Sequence, residues 1–136
     1  MEDIHKRKLL KLKRFYEENN EDICLNEWLI KYIIEGKMNL IYLFMILMEP
    51  NLNELTKSKQ TPLHFASLNE TENSVEIIEL FLNNGANIDI KDGNNWTPIH
   101  YAIYTGNKEA LELYKNKKLI TDEEIIKFAN EIIYFK

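Results

Sequence analysis

The 136-residue chain has a single cysteine, three histidines, three prolines and four glycines. One thiol, Cys24, excludes an internal disulfide framework and suits a reducing compartment. His5, His64 and His100 are too few and too scattered to build a zinc cage with one cysteine, so no metal site is expected. Gly36, Gly85, Gly93 and Gly106 form neither a phosphate-cradling loop nor a dinucleotide fingerprint, and no cofactor is expected. No apolar run reaches the roughly 18 residues that cross a bilayer. The longest, Leu40 to Met48, reads as a buried helix. The basic residues at the start are not followed by an apolar stretch and a small-residue cleavage site, so no secretory signal is expected.

What is present fits one globular domain. Hydrophobic residues make up 45% and charged residues 29%, too apolar for a disordered chain. The net charge of −5 argues against general nucleic-acid binding. That −5 is the balance of +4 over residues 1–14, which hold six Lys/Arg against Glu2 and Asp3, and −9 beyond. The basic stretch His5 to Arg14 has three readings: a solvated helix face, a nuclear-import or anionic-surface segment, or a contact for an acidic partner.

The chain repeats itself. Thr61-Pro62-Leu63-His64-Phe65-Ala66 and Thr97-Pro98-Ile99-His100-Tyr101-Ala102 start 36 residues apart. Each is followed by an amphipathic stretch, Val75 to Leu82 and Glu109 to Tyr114, and the first of these ends in Asn83-Asn84-Gly85-Ala86-Asn87-Ile88-Asp89. Proline suits a helix's first turn, where its missing N–H costs nothing, and the threonine before it caps the helix. Leu63 with Ala66, and Ile99 with Ala102, form stripes that are narrow at the alanine, so a second helix can lie close. Gly106-Asn107 supplies the reversal between paired helices, and Gly85 ends the second one. The unit is helix, turn, helix, then an extended loop. A worn copy lies one period earlier: Trp28-Leu29-Ile30 stands where Pro-Leu-His would be, and Gly36-Lys37-Met38-Asn39 matches Gly106-Asn107-Lys108-Glu109. The helix Leu40 to Met48 follows, then Pro50 to Asn53.

These segments resemble the ankyrin-repeat family, whose unit runs about 33 residues with a Thr-Pro-Leu-His-x-Ala signature. The three extra residues of this period fall in Leu68 to Ser74, read as a lengthened inter-helix loop. The resemblance implies an all-α solenoid of stacked helix-turn-helix units joined by short hairpin-like loops, in a single domain over 1–136. Within it, 1–25 is expected to be an N-terminal cap helix, 26–59 a degenerate repeat, 60–95 and 96–119 repeats, and 120–136 a C-terminal cap helix. Helices are expected near 3–18, 27–35, 38–48, 62–68, 74–83, 98–105, 108–115 and 122–134. The core is expected to hold Leu63, Ala66, Ile77, Leu80, Phe81, Ile88, Ile99, Ala102, Leu111 and Leu113.

The residues that invite chemistry have structural explanations. In the resembled family the signature histidine hydrogen-bonds near the start of its helix and tightens packing between repeats, which accounts for His64 and His100. Asp89 to Asn94 lacks the alternating ligands and closing Glu of a calcium loop. No nucleophile or carboxylate pair has a defined spacing to either histidine, so no catalytic residue is assigned and an enzyme is not expected.

The family resemblance implies binding of a partner protein through loop tips and the exposed side of each first helix, which form a concave face. The tips are expected at Glu54 to Gln60 and Lys91 to Trp96. The first-helix positions are Phe65, Leu68 and Asn69, then Tyr101, Tyr104 and Thr105. Trp96, Tyr101, Tyr104 and Phe65 are the expected anchors, rimmed by Lys91, Asp92 and Asn94, because Trp and Tyr are enriched at interface hot spots. Trp96 packing merely on the neighbouring loop is the alternative. The expectation is a monomeric, cytoplasmic interaction module with access to the nucleus, of the kind that blocks a signalling partner. In a pathogen-encoded effector the compartment would be the host cytosol. The alternative is an assembly subunit that oligomerises through exposed repeat faces.

Overall fold

The computed structural model describes residues 2–18, 24–68 and 73–135, apart from the side chains of Glu2, Asp3, His5, Tyr134 and Phe135. Eight helices are found there: α1 (Glu2–Glu18), α2 (Leu25–Glu35), α3 (Met38–Met48), α4 (Pro62–Leu68), α5 (Ser74–Asn83), α6 (Pro98–Thr105), α7 (Lys108–Asn116) and α8 (Asp122–Phe135). No strand occurs among the described residues. The lengthened loop expected across Leu68 to Ser74 lies mostly outside them.

The helices stand in two rows. α2, α4, α6 and α8 pack in sequence as an inner row. The outer row has α1 against α3 and α5 against α7, and Tyr42 of α3 reaches across to α5 by donating its hydroxyl to Glu76 Oε1 at 2.6 Å. The end helices therefore each extend one row: α1 the outer, α8 the inner. The worn repeat shares the turn of the intact one. Gly36 and Gly106 end α2 and α6 with φ of 68° and 70°, a left-handed conformation that a side chain would strain.

The core runs between the rows. Leu29, Leu63 and Ile99 are buried at equivalent positions of the inner helices, beside Ala66 and Ala102. In the worn repeat the alanine position holds Tyr32, half-buried with its ring edge-on to Phe44. From the outer helices come Ile41, Phe44, Ile77, Ile78, Phe81, Ala110 and Tyr114.

Four residues expected in the core, Leu80, Ile88, Leu111 and Leu113, are only half-buried. The correction follows from helix geometry. Leu111 and Leu113 are two residues apart and cannot share a face, whereas Ala110 and Tyr114, four apart, can. Leu80 likewise lies off the line through Ile77 and Phe81. Phe81→Ala is accordingly expected to cost about 3–5 kcal/mol in urea unfolding, and Leu80→Ala distinctly less. Equal losses would contradict this assignment of faces.

Candidate partner-binding face

The hairpin tips are built by unlike residues in like positions. In the first, Thr56 N–H donates to the Gln60 carbonyl at 2.9 Å, and Thr56 Oγ1 accepts from Gln60 N–H at 3.2 Å. In the second, 36 residues on, Asp92 N–H donates to the Trp96 carbonyl at 2.8 Å. Asp92 Oδ1 accepts from the N–H groups of Asn94 and Trp96 at 2.8 and 3.0 Å. Each tip turns on a left-handed residue, Lys59 (φ 59°) or Asn95 (φ 63°). The tips join where Gly93 N–H donates to the Lys59 carbonyl at 3.2 Å.

Behind each tip sits a signature histidine. His64 Nδ1 accepts from Thr61 N–H at 3.2 Å, which assigns the ring proton to Nε2; that nitrogen donates to the Trp96 carbonyl at 2.9 Å. One imidazole thereby closes the start of α4 and holds the base of the following tip. In the next repeat Thr97 and His100 form a reciprocal capping box. There His100 Nε2 donates to Glu131 Oε2 on α8 at 2.8 Å.

Three of the four aromatic residues expected to serve as anchors, Trp96, Tyr101 and Tyr104, come together. Trp96 stacks on His100 and lies 5.0 Å from Tyr101 and 5.5 Å from Tyr104, between ring centroids. Their exposures differ. Tyr104 is 58% exposed, Trp96 and Tyr101 are half-buried, and Phe65 is half-buried one repeat over, at the position equivalent to Tyr101. Lys91 and Asn94 are exposed. Asp92, expected at the rim, is instead only 6% exposed and works inside the tip, accepting from the Tyr101 hydroxyl as well as from two backbone N–H groups. Burial, together with the Asp92 carboxylate, pushes the Tyr101 phenol up to about 12. Asn69 lies outside the described residues.

Several organising residues left little trace in the sequence. Asn26 is buried and donates to the carbonyls of Asn51 and Glu54, both at 2.8 Å, bracing the loop after α3. Asn53 bridges the loops of successive repeats, donating to the Gly85 carbonyl at 3.0 Å and accepting from Asn87 N–H at 2.8 Å. Ser67 and Tyr114 share a buried hydroxyl–hydroxyl bond of 2.6 Å between repeats. The spacing of Asn51, Asn53, Asn87 and Asp89 was the one available signal for the second of these.

Comparison with known proteins agrees with this geometry. The family model for ankyrin repeats matches residues 26–122 in three copies. The chain belongs to the ankyrin-repeat family, whose members serve as protein-interaction modules. It is 32% identical over 114 residues to a Borreliella burgdorferi protein named for its ankyrin repeats, covering 79% of this chain and 26% of that protein. It is 39% identical over 64 residues to a fowlpox virus protein so named, covering 47% of this chain and 32% of that protein. A potassium channel of rice, Oryza sativa, is 34% identical over 71 residues, 52% of this chain and 7% of the channel. The chain thus spans about a quarter to a third of the lengths of the first two relatives. No described helix is long and apolar enough to cross a membrane.

The buried histidine sets a pH dependence. Desolvation lowers the His64 pKa below its ordinary 6.5, only partly opposed by the bond to the Trp96 carbonyl. Below about 6.5 the unfolded chain takes up a proton that the folded chain resists, so stability is present above that pH and falls as pH drops through it. Urea unfolding between pH 7 and 5 is expected to show this decline, and His64→Gln, though destabilised throughout, to show a flatter profile.

Proposed function

We propose that this chain binds a partner protein on the exposed side of the inner helix row and its hairpin tips, with Tyr104 and Trp96 as anchors. The observation that carries the reading is the aromatic cluster of Trp96, Tyr101 and Tyr104, held by one tip and the helix behind it and left open to solvent at Tyr104. Tyr101 is a supporting residue, because its hydroxyl is committed to Asp92. Phe65 extends the patch sideways, and Lys91 and Asn94 supply its polar rim. Asp92 shapes the tip from beneath. The unit is read as a non-catalytic, cytoplasmic module of one domain, with α1 and α8 as its ends, that occupies a signalling partner. Relatives in a spirochaete and a poxvirus accord with an effector role.

A second reading, an assembly subunit, draws on α8, where Ile126 and Ile133 are both strongly exposed and seven residues apart on one face. Mass measurement in solution separates the two: a monomer favours partner binding, a stable oligomer assembly.

Capture from host extract with mass spectrometry identifies the partner. Against it, Trp96→Ala and Tyr104→Ala are each expected to lose about 2 kcal/mol of affinity, with helical melting used to show an intact fold. Glu112→Ala on α7 is the control. If Glu112→Ala weakens binding and the two aromatic variants do not, the site lies elsewhere.

A further inference from the structure

α1 carries a second surface, separate from the partner face. Its inward side is narrow: Leu9 is buried in the core, with Leu12 and Tyr16 half-buried beside it. At about 100° per residue, the opposite arc takes in Ile4, Arg7, Lys8, Lys11, Arg14 and Phe15, all exposed. The helix has six Lys/Arg, all between residues 6 and 14, flanked by Glu2 and Asp3 before them and Glu17 and Glu18 after, which leaves it basic in a chain whose net charge is −5. Ile4 and Phe15 stand 57% and 54% exposed among those cations.

α7 interleaves its signs, with Lys108, Glu109, Glu112 and Lys115, whereas α1 groups its cations in the middle and its acids at the two ends. On α1, Arg7 and Lys11 are four apart and Lys8, Lys11 and Arg14 three apart, so like charges crowd the middle of one face; Asp3 and Glu18 stand four residues from Arg7 and Arg14 only at its two ends. The adjoining helix adds an independent observation. α3, on which α1 packs, has no Asp, Glu, Lys or Arg in its eleven residues. Asn39, Tyr42 and Ile46 of α3 are exposed, the last to 70%, with the Tyr42 hydroxyl bonded to Glu76 of α5.

We propose that α1, together with the exposed Ile46 of the helix it packs on, docks on the surface of a bilayer containing anionic phospholipid. The cations meet the charged headgroups, and Ile4, Phe15 and Ile46 enter the boundary with the acyl chains. A nucleic acid would satisfy the cations but offers the aliphatic Ile4 and Ile46 nothing to contact. The site does not depend on the partner reading, since it uses no residue of the aromatic cluster.

The test is co-sedimentation of the full chain with vesicles of phosphatidylcholine alone, or with about 30% phosphatidylserine, at low and high salt. Binding is expected only to the anionic vesicles and to weaken as salt rises. One cation near such a surface is worth roughly fivefold in partition, so the double variant Arg7→Glu, Lys11→Glu is expected to lose at least about tenfold. Phe15→Ser and Ile46→Ser are expected to lose severalfold, and Tyr104→Ser nothing, with melting temperatures compared throughout. Equal binding to both vesicles, no binding to either, or a charge-reversed variant that folds and binds unchanged overturns the proposal. So does tighter retention on a DNA duplex than on the anionic vesicles. If the double variant does not fold, the salt series on the unaltered chain decides, and salt-independent binding overturns the proposal.

Discussion

Two imidazoles link neighbouring units of this solenoid, and the positions of the tips and of the last helix depend on them. A ring held by the threonine three residues before it has one nitrogen committed to its own helix start. The other is free to reach outward as a donor. At His64 that donor meets the Trp96 carbonyl, so the helix start of one unit and the tip of the next are set together. Because the imidazole is buried, its bonds are not exchanged with water, and losing either partner would leave a polar atom without compensation. The repeat thereby gains a directional contact that apolar packing, which tolerates sliding, does not provide.

At the last unit the same ring finds a different acceptor. The link from α7 to α8 is short, and His100 donates to the Glu131 carboxylate while the Phe128 ring lies 4.5 Å from its own. α8 is thus placed by a side-chain acceptor where the preceding unit uses a backbone carbonyl. The two ends of the stack differ accordingly: α1 completes the outer row through Leu9, and α8 completes the inner row through Ile132 and the His100 bond.

The second tip shows how the residues that fold a loop constrain the aromatic patch proposed for binding. Asp92 cannot act at the surface because its two oxygens are taken by Asn94 N–H, Trp96 N–H and the Tyr101 hydroxyl. That commitment orients the Trp96 backbone and fixes Tyr101, leaving Tyr104 as the ring with the most open face. Aromatics held this way would lose little entropy on binding, which the proposed anchor role requires. The first tip has Thr56 in the equivalent place and no tryptophan at Gln60, so the patch is one-sided along the stack.

By itself the sequence determined the helix pairs, their boundaries to within two residues, and the family. Pro, Gly and Thr act on backbone dihedrals and orphan N–H groups, and those effects are local enough to read from spacing. The period also revealed the worn first repeat, whose Gly36 adopts the same left-handed turn as Gly106. On α5 the expected Ile77 and Phe81 are buried, but on α7 the packing between the rows chose the face of Ala110 and Tyr114, with Leu111 and Leu113 only half-buried. Tertiary structure alone placed Asp92 inside the tip and Asn26 beneath the loop after α3. A polar side chain's place depends on which groups the fold brings within about 3 Å. The carbonyls that Asn26 meets lie 25 and 28 residues on, where no local pattern names them. The partners of Asp92, though near in sequence, come together only once the tip has closed.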